Sequence, residues 1–203
     1  MDLLVDYERA WLAPYKISQK LNGEFSIEIL SQLFPEEVNE LMSKPEALHR
    51  FPGKMSDRFY RAVKRIANVY KGDAARIWTG RPSSGEVVYR FLEFDGVGPK
   101  IATMAVDILA RDFGIEFADR SSIDVSPDTQ VCRAFARLGL CPPEPTVEQV
   151  VYKARALYPE FPGIMDSPCW EIGESWCRPK VPKCSACYMN DLCPTPAPAV
   201  SGR

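Results

Sequence analysis

The sequence predicts an all-α protein, and three observations carry this prediction. Apolar residues recur at helical spacing through most of the chain, several helix starts carry capping signals, and neither an alternating strand nor a two-residue hairpin turn stands out. The 203 residues include 46% hydrophobic and 26% charged residues, as in ordinary globular proteins. No run of eighteen apolar residues occurs, so the sequence predicts no membrane span.

The first half of the chain predicts three helices and a short turn. Amphipathic spacing predicts a helix from Tyr7 to Lys20, and Pro35, followed by two acids that a helix dipole favours, starts a second. Ser43-Lys-Pro-Glu46 is a capping box that predicts a short turn. The longest helix is predicted from Met55 to Tyr70. It carries a basic group that we expect to be a solvated face, Arg58, Arg61, Lys64 and Arg65.

The second half predicts five further helices, each with a recognisable start or stop. Ser83-Ser-Gly-Glu86 and Thr146-Val-Glu-Gln149 are capping boxes, and Asp128 is a helix N-cap. A tight Gly96-Val97-Gly98 turn, in which glycine permits positive φ, separates the first two of these helices. The predicted helices run over residues 84–94, 99–113, 128–138 and 146–157, and a last one ends at Cys177.

Four cysteines within seventeen residues predict a metal centre. They are spaced as Cys177-x6-Cys184-x2-Cys187-x5-Cys193, and a 4Fe–4S cluster needs four thiolates, one for each iron. Zinc is the alternative, but its usual signature is two separate short Cys-x2-Cys pairs, and only one such pair is present. We therefore expect an iron–sulfur cluster at these four residues.

The cysteine count and the single histidine limit the cellular compartment and the kinds of metal site that the sequence predicts. Seven cysteines, an odd number with four clustered, argue against a secreted disulfide framework and for a reducing compartment, so we expect a cytoplasmic protein. His49 is the single histidine, which excludes a His-rich metal site; we expect it to be a surface or capping residue.

The turn at Gly96, Val97 and Gly98 is a candidate anion site. Backbone amides at such a turn and in the first turn of the following helix are donors that a phosphate can approach closely. The segment FLEFDGVGPKIATMAVDIL resembles a helix-hairpin-helix, which holds the DNA backbone without reading bases. Taken alone, it is equally an ordinary corner between two helices.

Together, this segment and the cysteine spacing resemble the endonuclease III-like branch of the helix-hairpin-helix/Gly-Pro-Asp DNA glycosylases. The resemblance covers about residues 44–193 and implies a two-lobed fold. We expect a helical-barrel lobe at 1–115, with the hairpin at about 84–113, a cluster lobe at 116–193, and a mobile tail at 194–203. It also implies a 4Fe–4S cofactor and a monomer that binds double-stranded DNA with a damaged or abasic nucleotide flipped out between the lobes.

The resemblance implies two catalytic residues, Lys100 and Asp128. Lys100 follows Gly-Val-Gly-Pro, where the family has a lysine that attacks the sugar C1′ and forms a Schiff base. Asp128 precedes Thr129 at a helix start, so the resemblance implies that it corresponds to the family's catalytic aspartate. Asp124 is the rival position. The implied activity is removal of a damaged base with abasic-site lyase activity. The alternative is a non-catalytic iron–sulfur protein that binds DNA backbone or abasic sites.

Local charge must carry any contact with DNA, because the net charge is −2 and the pI is near 5.6. Arg178, Lys180 and Lys183 lie between the first two cluster cysteines, beside stiffening prolines, and we expect them to contact phosphates. Compensation of the charge of an anionic cluster is the alternative role for these three residues.

The sequence departs from the family pattern in two places. Family members often carry histidine after the threonine, where this chain has Gln130. They also carry a further helix before the part that corresponds to Tyr7–Lys20, with a loop that fills the gap left by the flipped base. Only six residues precede Tyr7, so we expect a shortened N-terminus without that helix.

Overall fold

The computed structural model describes residues 7–195, with side chains from Trp11 onward. Within this range the chain forms nine α-helices and three short 3-10 helices and contains no strand, which confirms the all-α prediction. The α-helices, numbered α1 to α9 in order, are Tyr7–Lys20, Ile27–Leu30, Pro35–Ser43, Pro52–Val69, Ser84–Leu92, Pro99–Arg111, Thr129–Arg137, Val147–Leu157 and Asp166–Ser175. The 3-10 helices are Ala74–Ile77, Pro162–Met165 and Cys184–Ala186.

None of the helices in the described range is long and apolar enough to cross a bilayer. The predicted mobile tail, residues 194–203, lies outside the described residues apart from residues 194 and 195.

The chain divides into two compact units. The first takes in the chain up to Thr79 together with Glu93–Gly96, and the second takes in Gly80–Leu92 and the chain from Val97 onward. The predicted lobes at 1–115 and 116–193 stay a prediction.

The first unit is organised around α4, which packs against α3 and α2. Its core includes Ile17, Met42 and Leu48, all nearly inaccessible to solvent. Two of the basic residues of α4 are paired with acids: Arg61 lies 3.1 Å from Asp57 and 3.4 Å from Asp95. Similarly, Arg65 lies 2.5 Å from Glu93, so part of the positive charge on this face is neutralised locally.

Three local expectations for the first unit are corrected. Ser43 ends α3 and does not open a separate turn, and α4 begins at Pro52, where proline is suited to a first helical position. The short helix α2, capped by Ser26, was not predicted because four residues show no helical period. His49 is buried, not on the surface, and its Nδ1 accepts a 2.9 Å hydrogen bond from the backbone N–H of Phe51.

The second unit has its core between α7, α8 and α9, with Phe135 fully buried at the centre. Helices α7 and α9 approach closely at Gly173, where a Cβ atom would lie 2.7–2.9 Å from atoms of Gln130. A side chain larger than hydrogen would therefore force these helices apart. This contact holds α7, which begins at the Asp128 cap, against α9, which leads into the cysteine loop.

Candidate active site and cysteine cavity

The turn between α5 and α6 has one left-handed glycine. Gly96 has φ +78°, as predicted, whereas Gly98 has φ −98° and ψ 176°, an extended conformation that any residue adopts. Gly98 is the N-cap of α6, and a Cβ atom on it would meet no atom within 4 Å. The expectation of positive φ is thus confirmed at Gly96 and wrong at Gly98.

Lys100 is the second residue of α6, directly after Pro99, and its side chain is exposed. Its carbonyl oxygen accepts hydrogen bonds from the hydroxyls of Thr103 and Ser126, both at 3.3 Å. The backbone of Lys100 is therefore held to the loop before α7, while the amine is left accessible.

Asp128 is the N-cap of α7. Its Oδ1 accepts hydrogen bonds from the backbone N–H groups of Gln130, at 2.8 Å, and Val131, at 2.9 Å. These two bonds satisfy donors that a helix N-terminus would otherwise leave unpaired, and they fix the direction of the carboxylate. The second oxygen, Oδ2, makes no hydrogen bond with any residue in the range 7–195.

Asp124, the rival position, is engaged elsewhere. Both of its carboxylate oxygens accept hydrogen bonds from the guanidinium of Arg155, each at 2.7 Å. A two-point pair of this kind has both geometric specificity and charge assistance. The carboxylate of Asp124 is accordingly tied to α8.

Sequence reasoning missed a third acidic residue, Asp166, at the first position of α9. Its Oδ1 accepts a 2.6 Å hydrogen bond from the backbone N–H of Ser126. Burial raises the pKa of Asp166 to about 6, against the Ser126 N–H that lowers it; Asp107 and Asp128 raise it further, and Lys100 lowers it. Because Lys100 and Asp128 both act on this carboxylate, the three residues belong to one neighbourhood.

The thiol of Cys132 lies in the same neighbourhood. Burial raises the pKa of Cys132, the charge of Asp128 raises it further, and that of Lys100 lowers it. The only sequence signal for Asp166 was an acid at a helix start, which is ordinarily an exposed residue. Its burial arises from the packing of α9 and could not be read from its neighbours in the chain.

The four clustered cysteines line one cavity in the second unit. Cys177, Cys184, Cys187 and Cys193 are half-buried free thiols. The other residues that line the cavity are Arg137, Leu138, Ile172, Trp176, Met189, Asn190 and Thr195. Within residues 7–195, no three His, Cys, Asp or Glu side chains converge closely enough to hold a single metal ion.

Arg137 braces the cysteine loop from α7. Its guanidinium lies 3.4 Å from the Cys177 sulfur and donates to the carbonyl oxygens of Arg178, at 2.8 Å, and Pro179, at 3.0 Å. Its own carbonyl oxygen accepts from the Cys193 thiol at 3.4 Å. One residue therefore contacts both ends of the loop.

The basic residues of this loop are accessible. Arg178, Lys180 and Lys183 are exposed, and none forms an ion pair with a residue that the structure describes. The backbone N–H of Lys183 donates to the carbonyl oxygen of Trp176 at 2.8 Å, which closes the loop at its base. The loop presents three unmatched positive charges on a hydrogen-bonded frame.

The comparisons with known proteins identify the fold. No protein-family model and no curated protein matches the sequence. A solved structure of endonuclease III in a non-covalent complex with DNA is similar, with a TM-score of 0.59 and 19% identity, over 88% of this chain and 73% of that one. A thermostable thymine-DNA glycosylase is similar with a TM-score of 0.56 and 20% identity, over 88% of this chain and 74% of that one.

Proposed function

We propose that this chain, which has the helix-hairpin-helix DNA glycosylase fold, is a base-excision repair glycosylase with abasic-site lyase activity. The observation that carries the proposal is that Ser126, two residues before Asp128, bonds through its hydroxyl to the Lys100 carbonyl oxygen at 3.3 Å, which brings the N-terminal ends of α6 and α7 together. The fold in which this occurs is shared with an endonuclease III–DNA complex. Neither Lys100 nor Asp128 would stand out alone, since one is an exposed lysine and the other a helix cap.

In the proposed reaction, the Lys100 amine attacks C1′ of a flipped-out nucleotide. The N–C1′ bond forms as the glycosidic bond breaks, and the base leaves with the bonding electron pair and is protonated. Loss of one proton from the lysine nitrogen and opening of the sugar ring then give a Schiff base. Asp128, aimed by its two backbone donors, stabilises the positive charge that develops on the sugar.

The tie between Asp124 and Arg155 supports the choice of Asp128. A carboxylate whose two oxygens are both bonded to a guanidinium is fixed in place and has its charge offset, which makes it a poor partner for the sugar or the amine. Asp128 keeps Oδ2, with no hydrogen bond from residues 7–195, for that purpose.

The proposed partner is double-stranded DNA with a damaged base or an abasic site, bound by a monomer. The turn at Gly96, Val97 and Gly98 contacts phosphates through backbone amides, and the open space beside Gly98 leaves room for close approach. The exposed Arg178, Lys180 and Lys183 contact phosphates a few residues before the cysteine pair. Binding of this kind weakens steeply as salt concentration rises.

The residues of the cysteine cavity fit a 4Fe–4S cluster. A single zinc ion with Zn–S bonds of about 2.3 Å would bring its four sulfurs to within about 4 Å of one another. A 4Fe–4S cluster instead takes one thiolate for each iron, and all four cysteines line one cavity. When bound, the cluster would tie the basic loop to the end of α9 and so contribute to folding.

The test of the proposed function is reaction with abasic-site DNA under borohydride, which reduces a Schiff base to a stable adduct. We expect an adduct with the wild-type protein and none with Lys100→Ala. Lys100→Arg keeps the positive charge but has no nucleophilic amine, and we also expect no adduct with it. Lys54→Ala, at an exposed lysine of α4, is the matched control and should react like the wild type.

Two outcomes would contradict the proposal. An adduct that persists in Lys100→Ala would exclude Lys100 as the nucleophile. Salt-sensitive binding to abasic DNA with no adduct and no release of any damaged base would instead identify a non-catalytic DNA-binding protein.

A further inference from the structure

Asp166 connects two parts of the proposed site through Ser126. Ser126 is buried, and while its N–H donates to Asp166, its hydroxyl lies 3.3 Å from both the Lys100 carbonyl oxygen and the Thr103 hydroxyl. Asp128 follows Ser126 by two residues. A shift of Asp166 would therefore move both the first turn of α6 and the N-cap of α7.

The charges around Asp166 favour proton uptake near neutral pH. The Ser126 N–H, Lys100 and the N-terminal end of α9 favour its ionised form, but burial and the neighbouring acids outweigh them and raise the pKa to about 6. On α6, Asp107 is paired with Arg111 at 2.9 Å, and both lie close enough to interact with Asp166. On α9, burial raises the pKa of Cys169 to about 12, so this thiol is neutral at working pH.

We propose that Asp166 holds Ser126 in place and accepts, directly or through a water molecule, the proton that the Lys100 ammonium must lose before its amine reacts. This inference rests on the proposed function of Lys100. A base that gains its proton near the working pH is well matched to such a transfer. The sequence offered Asp128 as the catalytic acid, with Asp124 as the rival position, and did not point to Asp166.

The step balances with an abasic aldehyde as the substrate. An Nζ–H bond of the ammonium breaks, its electron pair stays on nitrogen, and the proton passes to a carboxylate oxygen of Asp166. The amine lone pair forms a bond to C1′, and the carbonyl π pair moves to oxygen, which takes the proton back from Asp166. A second proton then passes from nitrogen to this oxygen, and water leaves to give the cationic Schiff base.

The experiment measures the rate of adduct formation with abasic DNA and cyanoborohydride between pH 5 and 8.5. Asp166→Asn keeps an oxygen to accept the Ser126 N–H and mimics the protonated acid. We expect equal rates for the wild type and Asp166→Asn at pH 5, and a wild-type rate about tenfold higher above pH 7. A role confined to holding Ser126 would give the same ratio at every pH, and that result would overturn the inference.

Asp107→Asn is the matched control, because it removes a buried acid beside Asp166 and leaves Asp166 intact. Since Asp107 raises the pKa of Asp166, this variant should keep the pH-dependent rise with its midpoint moved to lower pH. If the pH-dependent rise in rate disappeared in Asp107→Asn and persisted in Asp166→Asn, the proton acceptor would be Asp107 and not Asp166.

Thermal unfolding gives a second readout that needs no DNA. A carboxylate with a raised folded-state pKa loses its contribution to stability as pH rises from the ordinary carboxyl pKa to the folded-state value of about 6, because over that range only the folded state keeps the proton. The Tm of Asp166→Asn relative to the wild type should therefore increase between about pH 4 and pH 6 and level off above that. A constant difference across this range would contradict ionisation near pH 6. If Asp166→Asn does not fold, Asp166→Glu keeps a titratable group and should keep a pH-dependent rise in rate.

The experiment distinguishes failure of the proposed function from failure of the proposed role of Asp166. No adduct with the wild-type protein at any pH would overturn the proposed function. An adduct with the same pH profile in the wild type and Asp166→Asn would overturn only the role of Asp166.

Discussion

At the scale of single residues, Asp128 combines a structural and a proposed chemical role on separate oxygen atoms. Oδ1 caps α7, and Oδ2 makes no hydrogen bond within the described range. A helix cap is a sufficient reason for an aspartate at this position. The two roles can be separated, because an amide caps a helix nearly as well as a carboxylate but carries no charge.

Asp128→Asn should keep the stability of the protein within about 0.5 kcal/mol and lower base removal by about 10²- to 10⁴-fold. Asp128→Ala loses the cap as well and should cost about 1 kcal/mol of unfolding free energy, measured by urea denaturation. Equal activity of Asp128→Asn and the wild type would restrict Asp128 to capping.

The residue scale also shows where sequence reasoning succeeds and where it stops. The caps at Asp128 and Thr146 were predictable because a cap depends on residues two or three positions away. Asp166 was missed because its burial depends on contacts with Ser126, forty positions earlier in the chain. The choice between Asp124 and Asp128 likewise depended on Arg155, which no local pattern connects to either.

At the scale of elements, α7 and α9 form the pair on which the candidate sites depend. Helix α7 begins at the Asp128 cap and ends at Arg137, which contacts the cysteine loop. Helix α9 approaches α7 through Gly173, which has no side chain to separate them. Arg133 adds a 2.8 Å hydrogen bond to the Gly173 carbonyl oxygen.

Gly173→Ala should therefore destabilise the protein. A Cβ atom there would overlap the backbone of Gln130, and overpacking of this kind costs about 1–3 kcal/mol. Gly53→Ala is the matched control, because Gly53 lies in α4 and its Cβ would make only an ordinary 3.8 Å contact with Asn39. Alanine at that helical position should be neutral or stabilise by up to about 1 kcal/mol, and urea denaturation of both variants compares them.

Little or no destabilisation by Gly173→Ala would contradict the close approach of α7 and α9. Destabilisation by Gly53→Ala of the same size would show that loss of glycine, and not the contact with Gln130, is responsible.

At the scale of the whole molecule, the net charge and the total number of cysteines say less than the local groups in which the charges and cysteines lie. A net charge of −2 gives no general attraction to DNA, and two of the basic residues of α4, Arg61 and Arg65, are paired with acids. The unmatched positive charges at Arg178, Lys180 and Lys183 belong to the cysteine loop. Four of the seven cysteines line its cavity, and Cys132, Cys141 and Cys169 do not.

Protein purified without oxygen should be brown and contain about four irons per chain. Cys187→Ser should lose most of the iron, whereas Cys169→Ala, at a buried thiol outside the cavity, should retain it. Iron and zinc analysis of the three proteins is the measurement. Colourless protein with one zinc per chain would show that the cysteines bind zinc and not an iron–sulfur cluster.

The short helix α9 connects the proposed proton acceptor to the cysteine cavity. Asp166 is its first residue, and Cys177 follows its last residue by two positions, so about 15 Å of helix lies between them. If the proposed cluster fixes the far end of this helix, its loss should loosen the position of Asp166 and alter the pH profile of the proposed reaction.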